Sequence, residues 1–468
     1  MSRIWRRAAA LLGAALLVAL LPALLGGNES AQPPPVRGER LELNFHSSPL
    51  VVELPMVATH VSFSWPEGAG HDENADGHED EERQPALSVS FSADGVSYGP
   101  ETEVWPDHAV VQDDLVHSSV IWTGGAGYLR LTAGEPPGRL IVGAIDAGTQ
   151  DQGPRAHSAA AAVDQPQVIS RSGWGADESL RFWQPGETIT DPEQQVGDEK
   201  WPPMFFSVQK LIVHHTAGAN NDPNPGSTIR AIYYNQAINR GWGDIGYNFL
   251  IDEQGRIYEG RHSRRYSSSE MPNGEDGTGK SVQGAHVANH NSGTVGIALL
   301  GHLVNQDATP AARASLERLL AWLAERHDID PLGEGMYVNP HPEGTTQKHS
   351  ANISGHRDWA STACPGGTFY ANLPQLRQAV ASRIAGGSPS PSPGPTPTPT
   401  TPPTGAPTVP QGLVASAHDN FVIKLSWQPS SSSVAGTIRY RVFRNGSAIG
   451  TQQTALTYTD QRLKVNTF

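Results

Sequence analysis

Two histidines and the single cysteine of the chain have the types and spacing of metal ligands. His214 and His215 follow the apolar run 211–213, and His356 precedes Cys364 by eight residues. Two imidazoles and one thiolate form a three-ligand set that leaves the fourth zinc position open for water, as in catalytic zinc sites. Such a site makes hydroxide available near neutral pH. The alternative is that these histidines are ordinary hydrogen-bonded structural residues.

The histidine pair raises the question of which ring faces the metal. A continuous apolar run such as 211–213 is typical of a strand that is buried on both faces. Consecutive residues of a strand point to opposite faces, so His214 and His215 should have different roles. The pattern alone leaves open which of the two is the ligand.

The composition limits the kinds of protein that this chain can be. Its 468 residues exceed what one hydrophobic core usually serves, which predicts two or three domains. A net charge of −14 argues against a nucleic-acid partner. One cysteine excludes an intrachain disulfide framework, and metal binding would explain a lone thiol.

The first residues have the pattern of an export signal. Three arginines precede the apolar run 8–25, and polar residues follow it. We therefore predict a signal peptide over 1–31, with a retained membrane anchor as the alternative. A cleaved signal implies a secreted, extracellular or cell-wall-associated protein with no stable membrane insertion afterwards.

Residues 32–147 predict an accessory all-β sandwich domain, because apolar and polar residues alternate with period two. Within it, the acidic stretch 71–82 begins like a calcium loop. Arg83 stands where such a loop would carry its last glutamate, which favours a solvated acidic loop over a calcium site.

Residues 148–166 form a polar connector, and 167–386 have a mixed α/β pattern. The pattern of 167–386 predicts a mixed sheet flanked by helices. Its clearest helix follows Thr309 as N-cap, and another helix is expected with Ser227 as N-cap.

The C-terminal part changes composition abruptly. Residues 387–410 are a linker rich in Pro, Ser and Thr. Residues 411–468 contain β patterns that resemble the start of a fibronectin type III module, with Trp427 and Tyr440 on its strands. We expect a truncated β-sandwich there.

Six motifs occur in an order that resembles a known enzyme family: ISRSGWGA, LIVHHTAG, GWGDIGYNFLID, GRIYEGR, GAHVANHNSGTVGIALLG and ISGHRDWASTACPG. Together they resemble the zinc-dependent N-acetylmuramoyl-L-alanine amidases, a family that includes peptidoglycan recognition proteins and phage-type amidases. The resemblance covers about 167–385, which is under half of the chain.

The resemblance implies a role for each matching residue. It makes His214, His356 and Cys364 the zinc ligands and turns His215 away from the metal.

In the same family pattern, Tyr247 orients the zinc water or stabilises the oxyanion, and Thr362 is a second candidate for the oxyanion. Phage-type members carry lysine at the position of Thr362. His286 matches a residue of the cleft that touches substrate. His302 and His349 match no motif position and are expected to have ordinary structural roles.

The implied reaction is hydrolysis of the amide between N-acetylmuramic acid and the L-alanine of the stem peptide. The implied partner is bacterial peptidoglycan, and a monomer is expected. A non-catalytic peptidoglycan-binding protein is one alternative, although such members characteristically lose the cysteine. A zinc peptidase that cuts within the stem peptide is the other alternative.

Overall fold

The computed structural model describes residues 35–66, 87–107, 115–149, 164–267, 270–386, 410, 414–419, 422–432, 438–444 and 447–461. The predicted signal peptide, the acidic loop 71–82, most of the connector and the predicted linker apart from Pro410 lie outside these ranges. Within the described ranges, no helix has the length and apolarity needed to span a bilayer.

In the described part of the N-terminal domain, seven strands form one antiparallel sheet in the order β1-β7-β2-β6-β3-β4, with β5 paired to β2. All its described strands join one sheet instead of two separate ones, so the predicted sandwich is not confirmed. The strands are β1 (Arg37–Phe45), β2 (Leu50–Pro66), β3 (Leu87–Ser92), β4 (Thr102–Glu103), β5 (Leu115–His117), β6 (Ile121–Ala133) and β7 (Gly138–Asp146).

The described residues of the central domain form a six-stranded sheet, two two-stranded sheets and five α-helices. Its strands are β8 (Val168–Ile169), β9 (Phe205–Phe206), β10 (Lys210–His215), β11 (Phe249–Ile251), β12 (Ile257–Glu259), β13 (Ser281–Val282), β14 (Thr294–Leu299), β15 (Glu334–Val338), β16 (Gln347–Ala351) and β17 (Ile353–Gly355). Its helices are α1 (Arg171–Trp174), α2 (Pro225–Tyr234), α3 (Pro310–Arg326), α4 (Gly367–Ala371) and α5 (Leu373–Ile384).

The central sheet is mixed, as the sequence predicts. Its order is β17-β10-β14-β11-β12-β8, and only β11 and β12 pair antiparallel. The apolar residues of β10 are all buried: Leu211 and Val213 pack with α3 and α5 on one face, and Ile212 packs with Trp359 on the other. Hydrophobic burial on both faces explains the continuous apolar run.

The two predicted helix starts had different outcomes. Thr309 caps α3 and accepts a hydrogen bond from the Ala312 amide at 3.2 Å, as predicted. Ser227 is not a cap, because α2 already begins at Pro225. The Ser227 hydroxyl instead donates to the carbonyl of Gly148, the residue that follows the β domain.

The β domain and the α/β domain belong to one compact unit, Met1–Ser392. They share a hydrophobic cluster in which Val120 and Ile145 of the β domain pack with Trp174 and Ile229 of the α/β domain. A buried hydrogen bond of 2.8 Å from Ser62 to Asn235 also crosses this interface. The interface therefore has the composition of a domain core.

The second unit is Pro393–Phe468. It contains a three-stranded and a two-stranded sheet, and the rings of Trp427 and Tyr440 meet edge to face at 5.5 Å. The likeness to a fibronectin type III module stays a prediction. The strands are β18 (Val414–Asp419), β19 (Val422–Ser426), β20 (Tyr440–Arg444), β21 (Ser447–Gln453) and β22 (Thr457–Gln461).

Candidate metal centre

His214 lies near the end of β10, and His356 directly follows β17, the neighbouring parallel strand. Val213 on β10 lies opposite Gly355 on β17, so the next residue of each strand emerges at the same edge of the sheet. The two imidazole rings are 4.6 Å apart between centroids. Carboxyl ends of parallel strands are the usual place for ligand sites in α/β sheets. The strand register therefore brings together two residues that are far apart in sequence.

Cys364 completes a three-residue cluster with these histidines. Its Sγ lies 3.7 Å from Nδ1 of His214, and the potential ligand atoms of all three residues lie within 4.8 Å of one another. All three residues are buried. In a tetrahedral zinc site, nitrogen and sulfur ligands are about 3.5 Å apart, given the usual bond lengths. The donor set and its spacing therefore fit zinc.

Backbone contacts hold the cysteine in this position. The Arg357 amide donates to the Cys364 carbonyl at 2.9 Å, and the His215 amide donates to Sγ at 3.4 Å. The Cys364 amide donates to Oγ1 of Thr362 at 3.1 Å. Thr362 thus shapes the loop that presents the thiol, and its own hydroxyl proton is not used in that bond.

Burial controls the protonation of this cluster. It raises the pKa of the Cys364 thiol, and the negative charge of Asp107 acts in the same direction. It lowers the pKa of His214, with repulsion from His356 and His286 adding to the effect. Without a cation, burial therefore favours the neutral forms of Cys364 and His214. A bound zinc ion would supply the positive charge that makes a buried thiolate favourable.

His286 lies directly behind His214. Nδ1 of His286 is 3.1 Å from Nε2 of His214, and Nε2 of His286 is 3.4 Å from Oγ1 of Thr294. The Thr294 hydroxyl donates to the carbonyl of His290 at 2.7 Å. One set of neutral tautomers satisfies these three hydrogen bonds. Nε2–H of His214 donates to Nδ1 of His286, and Nε2–H of His286 donates to Oγ1 of Thr294. Nδ1 of His214 is then left for the metal.

Burial favours the neutral form of His286, which these tautomers require. His286 has no exposed surface, and burial lowers its pKa to about 3, with repulsion from His356 adding. Gly296 gives the ring its space, since a Cβ there would lie 2.3 Å from Cγ of His286. The predicted contact of His286 with substrate stays a prediction, and its position supports orientation of His214.

Tyr247 borders the cluster from the loop that precedes β11. Its ring centroid is 5.5 Å from that of His214, and the residue is 3% exposed. Burial, together with the charges of Asp107 and Cys364, holds its pKa well above the usual value. The phenol is therefore a hydrogen-bond donor throughout the physiological pH range.

His215 points away from the cluster. Its Nδ1 accepts a hydrogen bond from the Leu303 amide at 3.0 Å, and its ring stacks on His302 at 5.5 Å. This hydrogen bond gives His215 a structural role within the domain. His302 contacts this ring outside the cluster, and His349 is exposed on β16.

Sequence reasoning did not include residues that the β domain brings to the site. Trp105 packs on His302 with centroids 4.5 Å apart, and Asp107 forms an ion pair with Arg240 at 2.7 Å. No local motif marks Trp105 or Asp107. More than 130 positions separate Asp107 from Arg240, and only the packing of the two domains reveals the contact.

The fold and the site define a class: a mixed α/β domain with a buried cluster of two histidines and one cysteine at the strand ends. A family model described as N-acetylmuramoyl-L-alanine amidase matches residues 205–367. Peptidoglycan-recognition protein SC2 of Drosophila melanogaster is 32% identical over 162 residues, which are 34% of this chain and 68% of that protein. Peptidoglycan recognition protein 1 of Bos taurus is 28% identical over 218 residues, 46% of this chain and 86% of that protein.

The chain belongs to the family of peptidoglycan recognition proteins and N-acetylmuramoyl-L-alanine amidases. Among solved structures, the Drosophila peptidoglycan recognition protein SD is similar at 22% identity and a TM-score of 0.30, covering 45% of this chain and 95% of that one.

Proposed function

We propose that this protein hydrolyses the amide bond between N-acetylmuramic acid and L-alanine in bacterial peptidoglycan, with zinc held by His214, His356 and Cys364. The observation that carries the proposal is the buried three-ligand cluster, whose potential ligand atoms lie within 4.8 Å of one another. The presence of Cys364 favours catalysis over binding alone, because the cysteine completes the ligand set of an open zinc site.

Zinc, when bound, polarises a carbonyl and lowers the pKa of its water to about 7. The chain supplies the rest of the chemistry. His286 fixes the ring of His214, so that Nδ1 faces the site. Tyr247 keeps its proton and can donate a hydrogen bond to the oxygen that becomes negative in the tetrahedral transition state.

Thr362 is the second proposed donor to that oxygen. Its Oγ1 already accepts from the Cys364 amide, so its proton is available in the same region. A hydroxyl supplies a hydrogen bond but no charge, which makes Tyr247 the main candidate. The amine of L-alanine leaves and takes up a proton as the amide bond breaks.

The proposal extends to the surroundings of the enzyme. The substrate is bacterial peptidoglycan or its soluble muropeptides, no nucleic acid is involved, and the protein acts as a monomer. Export by the segment 1–31 places it outside the cell or at the cell wall, where this substrate is found.

Digestion of purified peptidoglycan, with and without a chelator, tests the proposal. We expect the zinc-loaded protein to release free stem peptides with an N-terminal L-alanine, identified by mass spectrometry, and the chelator to abolish the release. Cys364→Ser serves as the matched variant. Fragments cut within the stem would indicate a zinc peptidase, and binding without products would indicate a recognition protein.

A further inference from the structure

The β domain reaches the edge of the metal centre through residues 104–107. This segment is fixed by its own domain: the Ser119 amide donates to the Trp105 carbonyl at 3.0 Å, and the Asp107 amide donates to the His117 carbonyl at 2.7 Å. The Trp105 ring packs on His302, whose ring stacks on His215. A rigid part of the β domain therefore lies beside the strand that carries His214.

An ion pair of Asp107 with Arg240 links this segment to the α/β domain. Nη2 of Arg240 lies 2.7 Å from Oδ2 of Asp107, and the two side chains are 2% and 16% exposed. Nε and Nη1 of Arg240 are buried and have no hydrogen-bond partner among the described residues. Loss of Asp107 would therefore leave a poorly compensated buried charge, which is strongly unfavourable.

Arg240 stands at the start of the loop that delivers Tyr247. It is the C-cap of the short helical segment Asn235–Asn239 that follows α2, and its guanidinium lies over the ring of Trp242 at 5.1 Å. The Trp242 amide donates to the Gln236 carbonyl at 3.0 Å, and the Gly246 amide donates to Oε1 of Gln236 at 2.9 Å. The loop from Arg240 to Tyr247 is thus fixed at both ends.

From these contacts we infer that Asp107 is a positioning residue for Tyr247. Through Arg240, the β domain sets the place of the Tyr247 phenol relative to His214, and the catalytic unit comprises both domains. The negative charge of Asp107 raises the pKa of Tyr247 and the positive charge of Arg240 lowers it, so both members of the ion pair act electrostatically on the phenol. The inference deepens the proposed amidase function and rests on it for the role of Tyr247.

The test compares Asp107→Asn, Tyr247→Phe and the double variant in the full chain, with zinc content, kcat and KM measured on a soluble muropeptide. Misplacement of a catalytic group by about 1 Å can cost about 100-fold in rate. We expect Asp107→Asn to lower kcat by about 10- to 100-fold, with KM and zinc content unchanged. The double variant should be no slower than Tyr247→Phe alone, because Asp107 acts through Tyr247.

Ser62→Ala is the matched control, since it removes a buried hydrogen bond between the same two domains. It should lower the free energy of unfolding and leave kcat unchanged. Three results would each overturn the inference. They are additive losses in the double variant, a loss of kcat in Ser62→Ala equal to that in Asp107→Asn, and an unaltered kcat in Asp107→Asn. If Asp107→Asn does not fold, Arg240→Lys serves in its place, because it keeps the charge and loses the fork geometry.

A second readout separates this inference from the proposed function. In NMR spectra of protein with ¹³C-labelled tyrosine, the tyrosine signal that disappears in Tyr247→Phe belongs to the Tyr247 ring. We expect Asp107→Asn to shift this signal and Ser62→Ala to leave it in place. If Asp107→Asn shifts this signal but the wild-type protein hydrolyses no muropeptide, the positioning role stands and the amidase function is rejected. An unshifted signal would reject the positioning role whatever the activity.

Discussion

Nε2 of His214 faces Nδ1 of His286 at 3.1 Å, and the two rings meet edge to face with centroids 5.1 Å apart. The contact favours one tautomer of His214, the proposed zinc ligand. Partners of this kind orient the ring of the ligand and raise its basicity. We therefore expect His286 to influence the zinc affinity of the proposed site, although it is not one of the proposed ligands.

For His286→Ala we expect zinc affinity to fall by about 10- to 100-fold, the usual effect of removing such a partner. Competition with a metal-binding dye measures the affinity directly. His349→Ala, on the exposed hairpin, is the control and should bind zinc normally. Unchanged affinity in a folded His286→Ala protein would show that His214 is oriented by other contacts.

Cys364→Ser should lose both zinc and hydrolysis, since a serine hydroxyl does not replace a thiolate as zinc ligand at neutral pH. Elemental analysis of the purified protein gives the metal content, with one zinc per chain expected before substitution.

His215→Ala separates the two adjacent histidines. It should retain zinc and lose about 1–3 kcal/mol of stability, because the Leu303 amide loses its acceptor in a buried position. Denaturant unfolding measures this loss. Full zinc and full activity in Cys364→Ser would reject Cys364 as a zinc ligand. Loss of zinc in a folded His215→Ala protein would show that His215 contributes to the metal site.

Tyr247→Phe should lower turnover by about 100- to 1000-fold, the range observed when one oxyanion donor is removed. Substrate binding should change little, because the hydrogen bond strengthens only as charge develops. Zinc content should stay constant, since the phenol is not a ligand. If turnover stays near normal, Thr362→Val is the next variant. Its zinc content is measured as well, because Oγ1 of Thr362 also accepts from the Cys364 amide.

His60 makes the stability of the interface depend on pH. It is fully buried between Thr59 and Thr228, and burial lowers its pKa to about 3, with repulsion from Arg230 adding. A depressed histidine pKa means that the unfolded chain binds the proton first. This contribution to stability is therefore complete above about pH 6.5 and is lost as pH falls toward 3.

Comparison of the wild type with His60→Gln isolates this effect, because the other buried histidines titrate equally in both proteins. Between pH 7 and 5 we expect the wild type to lose about 2 kcal/mol more of its unfolding free energy than the variant. Urea unfolding at the two pH values measures the difference. An equal loss in both proteins would contradict the assignment to His60.

The local signals of the sequence succeeded where one domain alone determines the structure. The apolar run before His214 predicted a doubly buried strand, and Thr309 with Pro310 marked the start of α3. Strand alternation predicted that His214 and His215 face opposite ways, and the structure places His214 in the cluster and His215 against Leu303 and His302. The zinc-ligand role of His214 stays a prediction. These features depend on neighbours in sequence or on one sheet, so a pattern can reveal them.

The features that the sequence did not reveal depend on the packing of the two domains. The Ser227 hydroxyl was expected to cap a helix, yet it bonds the segment after the β domain. The pairing of Asp107 with Arg240, and the burial of Val120 and Ile145 against the α/β domain, join segments far apart in sequence. Long-range contacts between domains leave no periodicity in a single sequence.

The pairing of Val213 with Gly355 has a mechanical consequence. β17 has three residues and lies at the edge of the sheet, whereas β10 is held on both sides. An ion bound to both His214 and His356 would cross-link this short edge strand to β10 in the interior of the sheet. Amide hydrogen exchange in β17 should therefore be slower in the zinc-loaded protein than after chelation, while β14 exchanges equally in both.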